Sequence, residues 1–181
     1  MVSPTKLTCY SGNTIACVGG AFQGCQIDTI IIQAGLVSIS AGAFQNCSSL
    51  KKVVLPESTK MLSAACFAGC GNLEDINIPE GLTDLASRTA YGYRSYVFGG
   101  CSSLKTMIIP KGVTVLASGC FLDSGIEYVS IPSTCTSLNE DCLNAPNLKE
   151  VRLGVRDMSK LRYTESSFGD VSNAVLFVPH G

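Results

Sequence analysis

The chain repeats itself with a period of 22 or 23 residues, and this repeat restricts the possible folds more than any other feature. Five of the seven phenylalanines share one register, at spacings of 22, 23, 31 and 23 residues: Phe22, Phe44, Phe67, Phe98 and Phe121. Four prolines and four cysteines share two further registers: Pro56, Pro79, Pro110, Pro132, and Cys25, Cys47, Cys70, Cys101. Units this short have no core of their own, so the pattern predicts a solenoid in which stacking stabilises each unit.

Each unit contains a strand signal followed by a stop signal. In the copy that contains Phe44, the apolar residues Val53 and Leu55 lie two apart, which is the period of a strand with one buried face. Pro56 then ends the strand because it has no N–H to donate. The three-residue spacing from Phe to Cys predicts a short helical turn with both side chains on one side. We therefore expect an α/β solenoid with short parallel strands on its concave face and helical turns or irregular segments outside.

The combined pattern Ala-Phe-x-x-Cys-x-x-Leu-x-x-Ile-x-Ile-Pro resembles the BspA-like family of leucine-rich repeats. We expect one solenoid domain in three parts: residues 1–20 as an N-terminal cap or partial repeat, 21–153 as six repeats with an insertion near 88–96, and 154–181 as a degenerate last repeat with a final strand. What the resemblance implies about function is display on the cell surface or secretion, and adhesion to host matrix, mucosal proteins or other microbes.

Charge and hydropathy exclude several classes of partner. The formal net charge is -1, with 13 basic and 14 acidic residues and no basic block. A nucleic-acid surface therefore has no electrostatic support. No apolar run approaches the ~18 residues that a membrane-spanning helix needs, so no transmembrane segment is expected. The N-terminal sequence MVSPTKL lacks the apolar core of a signal peptide.

Eight of the ten cysteines lie at repeat positions and are predicted to be small, buried apolar groups: Cys25, Cys47, Cys66, Cys70, Cys101, Cys120, Cys135 and Cys142. Cys66, Cys120 and Cys142 occupy the slot before the repeat Phe or Leu, where other copies carry Ala or Val. The sequence has no Cys-x-x-Cys pair and only one histidine, His180, close to the end. We therefore expect no metal, no cofactor and no catalytic residue, and the chain is predicted not to be an enzyme. The sequence also leaves the alternative that one pair of neighbouring cysteines forms a disulfide.

Two sets of residues are candidates for contact with a protein ligand. The first set faces outward from the strands: Val54, Ile108 and Arg152 lie between the two buried residues of their strands, and Tyr128 lies in the file beside them. The second set lies in or beside the insertion and combines the residue types enriched at binding hot spots: Arg88, Tyr91, Tyr93, Arg94 and Tyr96. The alternatives are that exposed Val and Ile only satisfy strand propensity, and that the rings pack back onto the solenoid.

A file of charges follows the repeat Leu or Ile and alternates in sign: Asp28, Lys51, Glu74, Lys105, Glu127 and Lys149. This alternation favours an ion ladder between repeats over a ligand site, because each charge has a partner on either side. The leading functional hypothesis is a non-enzymatic recognition module that binds a protein, such as host extracellular matrix or another surface protein. The alternative is a structural spacer that presents another domain of a longer protein.

Overall fold

The computed structural model describes residues 6–9, 20–86, 95–169 and 174–179. It is a parallel β-solenoid of about six turns. We number the six coils from the one that contains Phe22. Their first strands are, in order, β2 (Thr29–Ile32), β4 (Lys52–Val54), β6 (Asp75–Ile76), β8 (Thr106–Ile108), β10 (Tyr128–Ile131) and β12 (Glu150–Leu153). β1 (Lys6–Cys9) pairs with β2, and β13 (Val175–Phe177) pairs with β12, at the two ends of this row. A second, two-residue strand follows in five coils: β3 (Ser38–Ile39), β5 (Met61–Leu62), β7 (Asp84–Leu85), β9 (Val115–Leu116) and β11 (Ser137–Leu138).

Every strand pair is parallel and in the register that the repeat dictates. Ile30, for example, lies opposite Val53, and Val53 lies opposite Ile76. Ile30 and Val53 are fully or almost fully buried, whereas the residues on either side of them in the strand are more exposed. The predicted alternation along short parallel strands is therefore confirmed, and it directs one side of each strand into a core shared by all coils.

Both rows of strands are interrupted at the same level. The first strands form two separate sheets, in the orders β1-β2-β4-β6 and β8-β10-β12-β13. The second strands likewise form the groups β3-β5-β7 and β9-β11. We call the first-strand groups the N-terminal sheet and the C-terminal sheet. The break lies between the third and fourth coils, where the sequence carries its extra residues.

The turns continue across this break. The backbone N–H of Phe67 donates to the carbonyl of Val97 at 3.2 Å, and the N–H of Gly69 donates to the carbonyl of Gly99 at 2.8 Å. The rings of Phe67 and Phe98 also stack across it, with centroids 6.0 Å apart. Turn hydrogen bonds and aromatic stacking therefore couple the two halves of the solenoid where strand pairing does not.

The predicted helical turns, and with them the α part of the α/β class, are not confirmed. Within the described residues the helical elements are two 3-10 helices, Met158–Lys160 and Glu165–Ser167. In the other turns, successive N–H groups bond alternately within the coil and to the next coil. The Gln45 N–H donates to the carbonyl of Gly42, three residues back, whereas the Phe44 N–H donates to the carbonyl of Cys66 in the next coil. An α-helix would need every N–H for its own carbonyls.

Two left-handed residues bracket each of these turns and stop helix propagation. Gly42 and Asn46, two residues before and after Phe44, have φ values of 63° and 59°. The same two positions have positive φ around the other four repeat phenylalanines: Gly20, Gly24, Ala65, Gly69, Tyr96, Gly100, Gly119 and Asp123. Since α-helical residues need negative φ, each turn is limited to about one revolution.

Five phenylalanine rings form a continuous column inside the turns. Successive centroids lie 5.2, 5.7, 6.0 and 5.6 Å apart and the ring planes are within 8° of parallel, from Phe22 through Phe44, Phe67 and Phe98 to Phe121. The cysteine column lies beside it. The thiols of Cys47, Cys70 and Cys101 donate to the carbonyls of the preceding coil's Phe at 3.0, 3.1 and 3.2 Å. Cys25, at the first coil, is only partly buried.

Candidate functional site

The outward side of the C-terminal sheet carries two rows of side chains, which together we call the C-terminal sheet face. Strand register places one row across the four strands as Ile108, Ser130, Arg152 and Phe177. The second row, two residues earlier on each strand, is Thr106, Tyr128, Glu150 and Val175. Met107, Val129 and Val151 lie between the rows and are buried, so the backbone alternation fixes which side chains face outward.

Large apolar groups on this face are open to solvent. The exposed fractions are 68% for Ile108, 44% for Tyr128 and 50% for Phe177. The guanidinium of Arg152 lies over the Phe177 ring, 5.8 Å from its centroid, and forms an ion pair with Glu150. Arg152 is therefore held by a ring and a carboxylate, and the face combines apolar contact area with a positioned cation.

The structure brings together three of the four predicted outward residues. Ile108, Tyr128 and Arg152 lie on adjacent strands of the C-terminal sheet. Val54 lies opposite Ile31 in the N-terminal sheet, on the other side of the break, and is partly buried. These four residues therefore do not form one continuous surface.

The second predicted set is described only at its end. Tyr96 is 37% exposed and begins the turn of the fourth coil with a φ of 45°. Gly99 lies so close that an added Cβ would be 3.0 Å from the Tyr96 ring, so this ring packs against the turn backbone. The other predicted residues of the set lie outside the described residues: Arg88, Tyr91, Tyr93 and Arg94.

Sequence reasoning missed the contribution of the last strand. Val175, Leu176 and Phe177 are all exposed, at 54%, 44% and 50%. The signal was present, because Leu176-Phe177-Val178-Pro179 repeats the strand-then-Pro order of the earlier copies. Aligning its Pro with Pro132 would have placed Phe177 in the row of Ser130.

The predicted ion ladder forms in the C-terminal coils. Glu127 lies 3.7 Å from the Lys105 amine and 2.5 Å from the Lys149 amine. The hydrogen bond from Lys149, with its charge and that of Lys105, lowers the pKa of Glu127. Among the described residues, Asp28, Lys51 and Glu74 form no ion pair with one another; the N-terminal sheet instead pairs Lys52 with Asp75 at 2.5 Å.

The buried cysteine thiols of the described residues are poor nucleophiles. Burial raises the pKa of Cys101 to about 12 and raises those of Cys66 and Cys142 well above their ordinary value. A hydrogen bond shared with Cys70 lowers the pKa of Cys47 to about 7, but the Cys47 side chain is fully buried. A reactive cysteine needs both a thiolate and access.

Clusters of metal ligands and membrane-spanning helices are both absent from the described ranges. Residues 6–9, 20–86, 95–169 and 174–179 hold no group of three or more His, Cys, Asp or Glu side chains that could bind a metal ion. In those same ranges no helix has the length and hydropathy to cross a bilayer.

The repeat pattern matches the BspA type leucine-rich repeat region, in six copies over residues 18–149 and 93–172. The chain belongs to this family. The resemblance of the Phe, Cys and Pro registers to this repeat is thus confirmed. A search of curated protein sequences gave no match.

Solved structures from bacteria share the fold. A leucine-rich cell surface protein from Faecalibacterium prausnitzii is 26% identical with a TM-score of 0.64, over 79% of this chain and 34% of that protein. A leucine-rich repeat protein from Bacteroides ovatus is 28% identical with a TM-score of 0.63, over 84% and 43%. The pneumococcal vaccine antigen PcpA, 20% identical with a TM-score of 0.70 over 83% and 36%, has the same fold. The chain thus spans less than half the length of each.

Proposed function

We propose that this chain is a non-enzymatic module that binds a polypeptide through the C-terminal sheet face. The observation that carries the proposal is the exposure of Ile108, Tyr128 and Phe177 on one sheet, with Arg152 held among them. Grouped apolar side chains on a soluble surface mark interaction sites, and Tyr and Arg are enriched at binding hot spots. An open sheet surface fits a polypeptide better than a small molecule.

The setting we propose is the bacterial cell surface or the extracellular space, with a host or microbial protein as the partner. The support is the family and the description of the Faecalibacterium prausnitzii neighbour as a cell surface protein. We also retain the division into an N-terminal cap at 1–20, six repeats at 21–153 and a terminal segment at 154–181. The alternative function is a spacer, which draws support from the part of each neighbour that this chain spans, 34% and 43%.

Binding to purified fibronectin, laminin, collagen and mucin, measured by biolayer interferometry, tests the proposal. We expect the chain to bind at least one of them, and Ile108→Ser with Tyr128→Ser to weaken binding about tenfold or more. The variant should melt within about 2 °C of the unmodified chain, since both side chains are on the surface. Val54→Ser on the N-terminal sheet is the matched control. Equal binding by the unmodified chain, the double variant and Val54→Ser would refute the role of this face. If the unmodified chain bound none of the four proteins, the spacer function would be favoured.

The predicted insertion residues stay a second proposed contact. Changing Tyr91, Tyr93 and Arg94 together to Ala removes the hot-spot residue types from it. If the insertion contacts the partner, affinity should fall while the melting temperature stays the same. Unchanged affinity would remove the insertion from the binding surface.

A further inference from the structure

A shallow cleft lies beside the C-terminal sheet face, where its strands end. It has a volume of about 600 Å³ and is open to solvent. Its lining comes from the ends of β10 and β12 and from the residues that follow β8, β10, β12 and β13: Lys111, Ser130, Ile131, Pro132, Ser133, Arg152, Leu153, Gly154, Arg156 and Pro179. Three of these side chains are cationic, two carry hydroxyl groups, and none is a carboxylate.

The three cations are only partly compensated within the chain. Arg152 forms an ion pair with Glu150 on the neighbouring sheet face. Lys111 and Arg156 are exposed, and among the described residues neither forms an ion pair. The cleft is therefore a local positive region on a chain whose net charge is -1. Such a region attracts anionic groups and raises their local concentration.

This positive charge is not a property of the repeat. The position directly after the repeat Pro is Glu57 in the second coil and Glu80 in the third, but Lys111 in the fourth. Arg156 follows the sixth coil, two residues beyond Gly154, which takes the Pro slot. The sign changes at the break between the sheets, on the half of the solenoid that carries the exposed Ile108, Tyr128 and Phe177. Two independent features of a binding surface thus coincide on the same half.

We propose that this cleft binds Asp or Glu side chains of the polypeptide whose apolar residues lie on the C-terminal sheet face; this inference rests on the proposed function above. Arg152 belongs to both surfaces, because it lies in the outward row and lines the cleft. One extended segment of a few residues spans from the face to the cleft. Guanidinium groups bind carboxylates with paired, directional hydrogen bonds, and the hydroxyl groups of Ser130 and Ser133 add further donors.

A sulfated polysaccharide fits these observations less well. Polysaccharides of that kind are bound by dense Lys and Arg patches, and this chain has no basic block. The cations here are three, and they adjoin exposed aliphatic and aromatic side chains that a sulfated sugar chain cannot match. Acidic and apolar groups in one short stretch are a property of polypeptides.

The test uses a fluorescein-labelled, amidated hexapeptide of three Glu followed by Leu-Phe-Leu, and the same peptide in reverse order. Matched peptides carry Gln in place of Glu. Fluorescence anisotropy is measured with the full chain at about 50 mM and about 500 mM NaCl, since higher salt screens exposed charges. We expect one Glu peptide to bind about fivefold more tightly than its Gln match at low salt, and this preference to disappear at high salt.

Two variants locate the effect. Lys111→Gln with Arg156→Gln should abolish the preference for Glu, whereas Lys51→Gln with Lys60→Gln, which makes the same change in net charge on the N-terminal half, should preserve it. Equal binding of Glu and Gln peptides, or a preference that survives in the cleft variant, would overturn the acidic partner. The protein-binding proposal would then still stand if Ile108→Ser with Tyr128→Ser weakened the binding of both peptides. Tighter binding of heparin through Lys111 and Arg156, or no peptide binding at ~1 mM, would also overturn it.

Discussion

Replacing Phe67 by Ala should do more than destabilise the chain: it should separate the solenoid into two folding units. Phe67 is fully buried and stacks on Phe44 on one side and on Phe98 on the other. Its contact with Phe98 spans the level at which both rows of strands are interrupted. The ring therefore joins the third and fourth coils at the level where strand pairing is interrupted, together with the turn hydrogen bonds.

The expected loss of stability is about 3–5 kcal/mol, the usual cost of removing a buried phenylalanine ring and leaving a cavity. Stacking on two rings places the value near the upper end, because each aromatic pair adds about 0.5–1.5 kcal/mol beyond the buried area. With a urea dependence of about 2–3 kcal/mol/M for a chain of this size, the midpoint should fall by about 1–2.5 M. In a repeat array, weakening one interface also decouples the units on either side.

Urea unfolding followed by two probes measures both effects. Far-UV circular dichroism reports on all strands, whereas the fluorescence of a Tyr128→Trp background, in a chain without tryptophan of its own, reports on the second half. In Phe67→Ala the two transitions should occur at different urea concentrations. The matched control is Phe44→Ala, since Phe44 is equally buried and stacked but lies within continuous sheets. It should lose similar stability and keep coincident transitions.

The reasoning would be refuted if Phe67→Ala unfolded in a single transition by both probes, or if Phe44→Ala gave the split instead. A loss well below 3 kcal/mol would show that neighbouring coils close around the missing ring.

Three further changes test separate features. Ala65→Gly should raise the free energy of unfolding by about 0.5–1 kcal/mol, because Ala65 has a φ of 55° that only Gly adopts without strain. Asn77→Ala should cost about 1–3 kcal/mol, since its amide bonds both the N–H and the carbonyl of Leu55. Lys149→Gln should raise the pKa of Glu127, which that amine lowers, as measured by NMR titration.

The sign of the pH effect follows from the direction of the Glu127 shift. Because its pKa is lowered from 4.5 in the folded chain, the stabilisation is present above about pH 4.5 and is lost as the pH falls through the folded pKa. Lys149→Gln should reduce this acid sensitivity, and an unchanged Glu127 pKa would contradict the ion pair. An Ala65→Gly chain no more stable than the unmodified one, or an Asn77→Ala chain of equal stability, would contradict the other two arguments.

The periodic features of the fold could be predicted from the sequence, because the same residue types recur at the same positions of successive repeats. The column from Phe22 to Phe121 and the buried positions of the first strands follow from spacing alone. Conformations set by the backbone could not be predicted in this way. Ala65, Tyr96 and Asp123 adopt left-handed φ values although none is Gly, so the spacing of Phe and Cys alone predicts helical turns that do not form.

Features that depend on residues far apart in the sequence could not be predicted either. The eight extra residues before Phe98 signal an insertion, but nothing local indicates that strand pairing stops at that level. For the candidate face, the outward positions of Ile108, Tyr128 and Arg152 were read from strand alternation, whereas the place of Val54 on a different sheet depends on that break. The cleft was missed because Lys111 and Arg156 are distant in sequence and occupy different repeat positions.

The paired left-handed residues define which part of each coil has a fixed length. From the residue two before Phe44, Phe67 or Phe121 to the residue two after it, every backbone N–H donates to a carbonyl of the same coil or of the next one. The extra residues of the fourth coil enter just outside this interval, between Ala86 and Tyr96, and the ring column passes them without a gap. Other coils have the same connection between the second strand and the first left-handed residue, at residues 40–41, 63–64 and 117–118. Segments of foreign sequence could be grafted there, one per coil, to make a rigid scaffold that displays several loops at regular spacing.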